Sequence, residues 1–285
     1  MPDPIIPEPA KRHRGQDESG ASMSFFDHLV ELRKRLISSV VAIGVGMVVG
    51  LLVSKRLINF VILPMRAALT ANHLDDKLYY TNPAGFVSLY ISLGMYLGIV
   101  LAMPWVLYQI WLFVAPGLYK HERRAAASFI VSAMSLFLCG IAFGYYVMLP
   151  QVLTYIIGFA NDGPIKPLIS INEYFSLTLA VLLGLGVIFE LPVVVFILSL
   201  FGIVTPKFMM KNFRYAMLLI TVAAAIVTPT PDATTMLVFM APMVALYFVG
   251  VLVSYVVLRG KRKRKLAEEK TEQDAKQKAE QNVEP

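Results

Sequence analysis

The fold class that this sequence predicts is an all-α integral membrane protein with six transmembrane helices and kinked spans. Three observations predict it. Six long apolar runs divide the 285 residues: Leu36–Val53, Phe86–Phe113, Ala125–Leu149, Tyr174–Phe201, Tyr215–Val227 and Met236–Leu258. Hydrophobic residues make up 57% of the chain and charged residues 16%, where a soluble domain carries about 25% charged residues. The density of Lys and Arg alternates from one connecting segment to the next. A bilayer core about 30 Å thick is crossed by about 20 apolar residues in a helix. Backbone groups in lipid must pair internally, which leaves helices or a closed barrel. Barrel strands alternate apolar and polar residues, whereas these runs are apolar all round, so the spans are helices.

Charge sets the expected orientation. Of the 26 Lys and Arg residues, 21 fall before span one, between spans two and three, between spans four and five, or after span six. The other connections hold five: Lys55, Arg56, Arg66, Lys77 and Lys166. The positive-inside rule puts the rich side, and with it both termini, in the cytoplasm. The net charge of +7 then reflects topology and not nucleic-acid binding. No cleavable signal peptide is expected, because the first apolar run begins only at Leu36 and no small-residue cleavage site follows it. Cys139 is the only cysteine, so no internal disulfide can form, and within span three it reads as a packed small residue.

The elements follow in order. Residues 1–22 are polar and contain proline, and read as a disordered cytoplasmic N-terminus. Residues 23–258 form the transmembrane domain, and 259–285 a charged cytoplasmic tail. Ser24 and Asp27 make a capping box that opens helix one, with Phe25, Leu29, Leu32 and Leu36 on one face. From Ser24 to Ser54 this helix spans about 45 Å. Its first turns, carrying His28, Glu31, Arg33 and Arg35, therefore stand in the cytoplasm. The outward segment 55–85 contains the short apolar pieces Leu57–Leu63 and Met65–Leu69, broken at Pro64, and reads as a cap on the outer membrane surface. Segment 150–173, with Val152–Phe159, reads the same way. Ser170 and Glu173 form a second capping box before span four.

Thr205 followed by Pro206 opens helix five on the cytoplasmic side, and Thr228-Pro229-Thr230-Pro231 stops it. Its apolar part, Tyr215–Val227, reaches about 20 Å. That is short for a bilayer, and local thinning suits a protein that moves something across. Asp232 caps helix six. Pro104, Pro192 and Pro242 predict kinks. Gly46–Gly50, Gly94–Gly98 and Gly140–Gly144 are G-x-x-x-G pairs that allow close helix approach. The basic run from Arg259 to Lys265 is either a topology anchor or a contact for anionic lipid.

Several chemistries have no residues to carry them. There is no G-x-x-x-x-G-K-[ST] nucleotide loop. None of His13, His28, His73 and His121 lies mid-span, which argues against a haem carrier. His121-Glu122 opens an H-E-x-x-H pattern, but Ala125 occupies the second histidine position. No metal, cofactor or catalytic residue is expected, and the protein reads as non-enzymatic. Glu190 is the one acid deep in a span, two residues before Pro192. A charge there costs at least about 2.5–3.5 kcal/mol. It is a satisfied hydrogen-bonding group near the kink, or a contact for a polar partner helix or a substrate path. Glu31 and Glu122 flank spans one and two on the cytoplasmic side, where two carboxylates suit a partner with two guanidinium groups. Each also has a structural reading: Glu31 pairs with Arg35 at i,i+4, and Glu122 stands beside Arg123 and Arg124.

The run Phe26-Asp27-His28-Leu29-Val30-Glu31-Leu32-Arg33-Lys34-Arg35-Leu36 resembles the amino-terminal signature of the TatC family. So does the 21-residue block from Pro104 to Arg124, which reads PWVLYQIWLFVAPGLYKHERR. Phe189-Glu190-Leu191-Pro192, Gly202-Ile203-Val204-Thr205-Pro206 and Thr228-Pro229-Thr230-Pro231-Asp232 are similar to the family's fourth span, the loop after it and its last outward turn. The likeness covers about residues 24 to 258. It departs from many relatives at Ala233-Thr234-Thr235-Met236, so no detailed role is carried over to the Asp232 turn.

The resemblance implies the receptor and core subunit of the twin-arginine translocase, in the bacterial cytoplasmic (inner) membrane. That machine exports folded proteins and is driven by the proton-motive force. It implies that Glu31 and Glu122 receive the Arg pair of the signal peptide. It further implies that Phe113, Tyr119, Lys120 and Arg123, with Arg33, shape the same patch. The signal's apolar stretch would enter the bundle, towards Glu190. Glu190 matches the family's span-four acid, whose side chain is thought to meet single-span partners. Implied partners are the single-span TatA and TatB subunits, other TatC copies and membrane lipid. Two alternatives carry less. A proton-coupled small-molecule transporter using Glu190 would more often show an internal repeat, and none is seen. An intramembrane enzyme would need a nucleophile–base pair or a metal motif.

Overall fold

A computed structural model describes residues 25–80, 82–114, 126–161, 168–228 and 232–281. The expectations for residues 1–22, the Ser24 cap and the Thr-Pro-Thr-Pro turn fall wholly or partly outside these residues. The described chain is helical: α1 Phe25–Ala71, α2 Gly85–Val114, α3 Ala126–Phe143, a π-helical turn Gly144–Met148, α4 Leu149–Asn161, α5 Ile171–Ile188, α6 Leu191–Leu200, α7 Pro206–Lys211, α8 Phe213–Val227 and α9 Ala233–Gln281. Among the described residues the extended structure is one isolated bridge, Tyr79 with Ser170. Five stretches are long and apolar enough to cross a membrane: Leu29–Ala71, Gly85–Val114, Phe129–Ala160, Ile171–Leu200 and Ala233–Lys263. The remaining expected span is the shorter apolar helix α8, with 15 residues, or about 22 Å.

Glycines seat α1 against α2. A methyl group built on Gly46 would lie 2.5 Å from Gly98 O, and one on Gly50 would strike Gly94 O. Gly94 and Gly98 meet Leu51 and Met47 in return. The pairing 46–98 and 50–94 runs antiparallel, and both G-x-x-x-G pairs lie in the interface. Backbone is in contact with backbone, so any side chain there would push the helices apart. Gly140 packs likewise on Leu185 O of α5.

The structure joins each expected outer segment to the span before it. Pro64 does not break the chain into surface pieces, because α1 continues through it to Ala71. Proline lacks the N–H that would bond the carbonyl four residues back, Phe60 O, and its ring crowds that turn. One tyrosine supplies the substitute donor and a second one binds the next carbonyl. Tyr145 Oη donates to Phe60 O at 2.6 Å, with its ring stacked on Phe60, and Tyr174 Oη donates to Val61 O. Segment 150–161 is likewise a continuation of the third span. At the π turn, Leu149 N–H reaches back to Gly144 O, which widens the helix just ahead of Pro150. The outward halves of α1 and α4 then pack on α5 through Ile62, Met65, Leu69, Leu149, Leu153 and Tyr174.

The three span prolines behave differently. α2 and α9 run on through Pro104 and Pro242. At Pro192 the fourth span divides into α5 and α6, with Phe189 and Glu190 in the turn. A second apolar core of Leu107, Trp111, Phe129, Ala133 and Val193 joins α2, α3 and α6 at that end. The caps are a mixed result. Thr205 Oγ1 accepts from Phe208 N–H at 3.2 Å, and Asp232 Oδ1 from Thr235 N–H at 2.7 Å, as the sequence predicts. Ser170 is the N-cap residue of α5 but makes no side-chain cap bond. Cys139 is exposed on α3 and not packed. The basic tail is not a separate element, because α9 extends unbroken from the apolar run to Gln281.

Candidate functional site

Glu31 lies in the second turn of α1. Its Oε1 accepts from Arg35 Nη2 at 3.1 Å, so the i,i+4 pair exists. The pair is part of a larger array. Arg35 Nη1 donates to Gln109 Oε1 of α2 at 3.3 Å. Gln109 Nε2 and Trp105 Nε1 both donate to Ser38 Oγ at 3.0 Å. Gln109 is only 4% exposed, so α1 and α2 are tied by a polar network at the edge of the apolar packing. The spacing explains it: Glu31, Arg35 and Ser38 lie on one α1 face at i,i+4,i+7, and Trp105 and Gln109 on one α2 face at i,i+4.

The network is incomplete. Glu31 Oε2 and Arg35 Nε are both buried without a hydrogen-bond partner among the described residues. A buried carboxylate oxygen left unpaired loses its hydration with nothing in exchange. It is an acceptor with no donor among the described residues. Towards the bilayer, the same two helices enclose an apolar groove of about 620 Å³, lined by Val41, Val45, Val49, Leu101 and Trp105.

Among the other expected residues, Arg33 is exposed on α1, and Phe113 is half-buried one turn beyond Gln109 on α2. Tyr119, Lys120, Glu122 and Arg123 lie outside the described residues. Glu190 is elsewhere, at the α5–α6 turn, and lines no part of the α1–α2 groove. It is 8% exposed, and both carboxylate oxygens lack partners among the described residues. The reading of a satisfied hydrogen bond at the kink therefore does not match the geometry. Sequence reasoning did not single out Gln109, Ser38 or Trp105. Gln109 carried a signal, as a side-chain amide near the end of an apolar run with no polar neighbour in sequence. Among the described residues no group of His, Cys, Asp and Glu is placed to hold a metal ion.

Comparison with known proteins points one way. The family model for "Sec-independent protein translocase protein (TatC)" matches residues 27–242. A Sec-independent protein translocase protein TatC of Koribacter versatilis is 45% identical over 273 residues, covering 95% of this chain and all of that one. One from Deinococcus radiodurans is 38% identical and covers 83% of this chain and 87% of its own. Bacillus subtilis TatCy is 34% identical, over 86% and 94%. A crystal structure of the twin arginine translocase receptor TatC superposes with a TM-score of 0.72 at 28% identity, covering 81% of this chain and 99% of that one.

Proposed function

The chain belongs to the TatC family of Sec-independent protein translocase proteins, and from that premise we propose that it is the receptor that takes the Arg-Arg signal peptide of folded cargo. As a family member it is a multi-pass translocase component of the bacterial inner membrane, in a family not known for enzymes. That assignment favours export over a transporter built on Glu190.

One observation carries the receptor proposal: the buried Oε2 of Glu31, which has no partner among the described residues, on a carboxylate held by Arg35, itself bonded to Gln109. A guanidinium is planar and offers parallel N–H donors, so it can engage a carboxylate already fixed on one side. An ammonium cannot form that fork. Glu122 would receive the second guanidinium, with Arg33, Phe113, Tyr119, Lys120 and Arg123 framing the patch. The signal's apolar stretch would lie along the α1–α2 groove, beside Val41 and Val45. That route differs from the expected path towards Glu190, which lies outside this groove. Glu190, whose two carboxylate oxygens are buried without partners among the described residues, would meet a polar group of a single-span partner, TatA or TatB. On this reading both termini and the charge-rich helix ends are cytoplasmic. The residues after Leu258 are a charged extension of the 23–258 domain. Export of a folded reporter tests the proposal. Glu31→Gln combined with Glu122→Gln should abolish it while the protein still inserts, and unchanged export would contradict the receptor role.

A further inference from the structure

The end of α9 carries a site that the receptor role does not use. A cavity of about 690 Å³ opens between α7 and α9, lined by Thr205, Pro206, Lys207, Tyr255, Leu258, Arg259, Arg262, Lys263 and Leu266. Four of these side chains are cations from two elements. None of the four meets a carboxylate at ion-pair distance among the described residues. Side chains at 255, 258, 259, 262, 263 and 266 recur at three- and four-residue spacing, so one face of α9 presents them together. The walls change character along that face. Tyr255 and Leu258 end the apolar run, and the cations follow at once. The neighbouring Lys261 is turned inward, donating from Nζ to Leu200 O at the end of α6. This ties the basic stretch of α9 to the bundle instead of leaving it as a free tail.

We propose that this cavity binds the phosphodiester headgroup of an anionic phospholipid. Lys207, Arg259 and Arg262 would contact the phosphate, and Tyr255 and Leu258 would flank the upper part of an acyl chain. A cationic concavity with an apolar lower wall, at the end of a span, fits a molecule that is anionic at one end and apolar at the other. Aromatic Tyr255 sits where a span meets the headgroup layer, a favoured position for that side chain. A free anion such as phosphate would use the cations and ignore the apolar wall. Nucleic acid would need a longer basic track than one cavity.

The full-length protein, reconstituted in phosphatidylcholine vesicles containing a minor fraction of photoactivatable phosphatidylglycerol, provides the test. Crosslinks to the segment 255–266 should exceed those from photoactivatable phosphatidylcholine roughly tenfold. Lys207→Gln with Arg259→Gln and Arg262→Gln should reduce them to the phosphatidylcholine level. Two further variants keep the result interpretable. Lys270→Gln with Lys276→Gln and Lys278→Gln removes equal charge farther along α9 and should leave crosslinking unchanged. Arg259→Lys with Arg262→Lys keeps the charge and should retain most of it. Equal loss in both glutamine triples would show diffuse attraction and overturn the site. Full competition by inorganic phosphate would make it a soluble-anion site and overturn the phospholipid assignment.

Discussion

On the proposed reading, Gln109 prepares the Glu31 site through its neighbours. Buried in α2, it accepts from Arg35 and donates to Ser38, which fixes the guanidinium that holds one oxygen of Glu31. Gln109→Leu should keep the fold, because the site is apolar on its other sides, yet free Arg35 to move. Affinity for an Arg-Arg signal peptide should fall about ten- to a hundredfold, the worth of one hydrogen bond to a charged group, as measured by peptide titration. An unchanged affinity would remove Gln109 from the account. Glu190→Ala should behave in the opposite way, weakening assembly with single-span partners more than signal binding. Site-specific crosslinking to each partner distinguishes the two, and equal losses would contradict the division of roles. Glu31, Glu122 and Glu190 stood out in the sequence because acids beside or inside apolar runs are rare. Gln109 and Ser38 did not, because their importance lies in an α1–α2 contact more than seventy residues apart. The expected roles of Tyr119, Lys120 and Arg123 around Glu122 rest only on the resemblance to a family block.

Helices in this protein are shaped by how their prolines are answered. At Pro64 the Tyr145 hydroxyl replaces the lost backbone donor to Phe60 O, the Tyr174 hydroxyl binds the neighbouring Val61 O, and α1 continues. At Pro192 the span divides, with Glu190 buried in the turn. The sequence predicts a break or kink at each proline but cannot show which neighbours will repair it, since Tyr145 and Tyr174 are remote in the chain. Tyr145→Phe should leave Phe60 O without its donor and destabilise the fold by about 1–3 kcal/mol, read as a lower denaturation midpoint in detergent. A change within error would mean the helix tolerates Pro64 unaided. The glycine pairs were legible, because G-x-x-x-G has a direct steric meaning. Gly46→Val should separate α1 from α2, with a loss of about 1–3 kcal/mol or more, and should disturb the Arg35–Gln109 bond along with the packing. Signal binding should therefore fall with stability. A stable Gly46→Val protein with normal signal binding would contradict the packing argument.

For the molecule as a whole, two cores stand at opposite ends of the bundle. The larger joins α1, α4 and α5 around Tyr174 and Leu149. The smaller joins α2, α3 and α6 around Trp111 and Phe129, beside the charge-rich ends. Between them the α1–α2 groove is open to the surroundings, and its walls are the exposed valines of α1. Fold class followed from composition and run length alone, since few soluble arrangements can hide so much apolar surface. Span number was harder: α8 is too short to be recognised by hydropathy without its flanking caps. Orientation rests on charge. Reporter fusions after residue 281 and within 72–80 should report opposite sides of the membrane, with the first in the cytoplasm. The reverse, or the same side for both, would overturn the orientation of the proposed site.

The central claim is that a guanidinium pair is recognised at the Glu31 end of α1 and leads an apolar segment into the α1–α2 groove. Photocrosslinking of a signal peptide to the protein in inner-membrane vesicles tests it most directly, comparing an Arg-Arg peptide with its Lys-Lys counterpart. The account predicts that Arg-Arg peptides crosslink around Glu31 and, from their apolar stretch, at Val41 and Val45, and that Lys-Lys peptides lose both. Equal crosslinking by the two peptides, or crosslinks confined to the neighbourhood of Glu190, would contradict it.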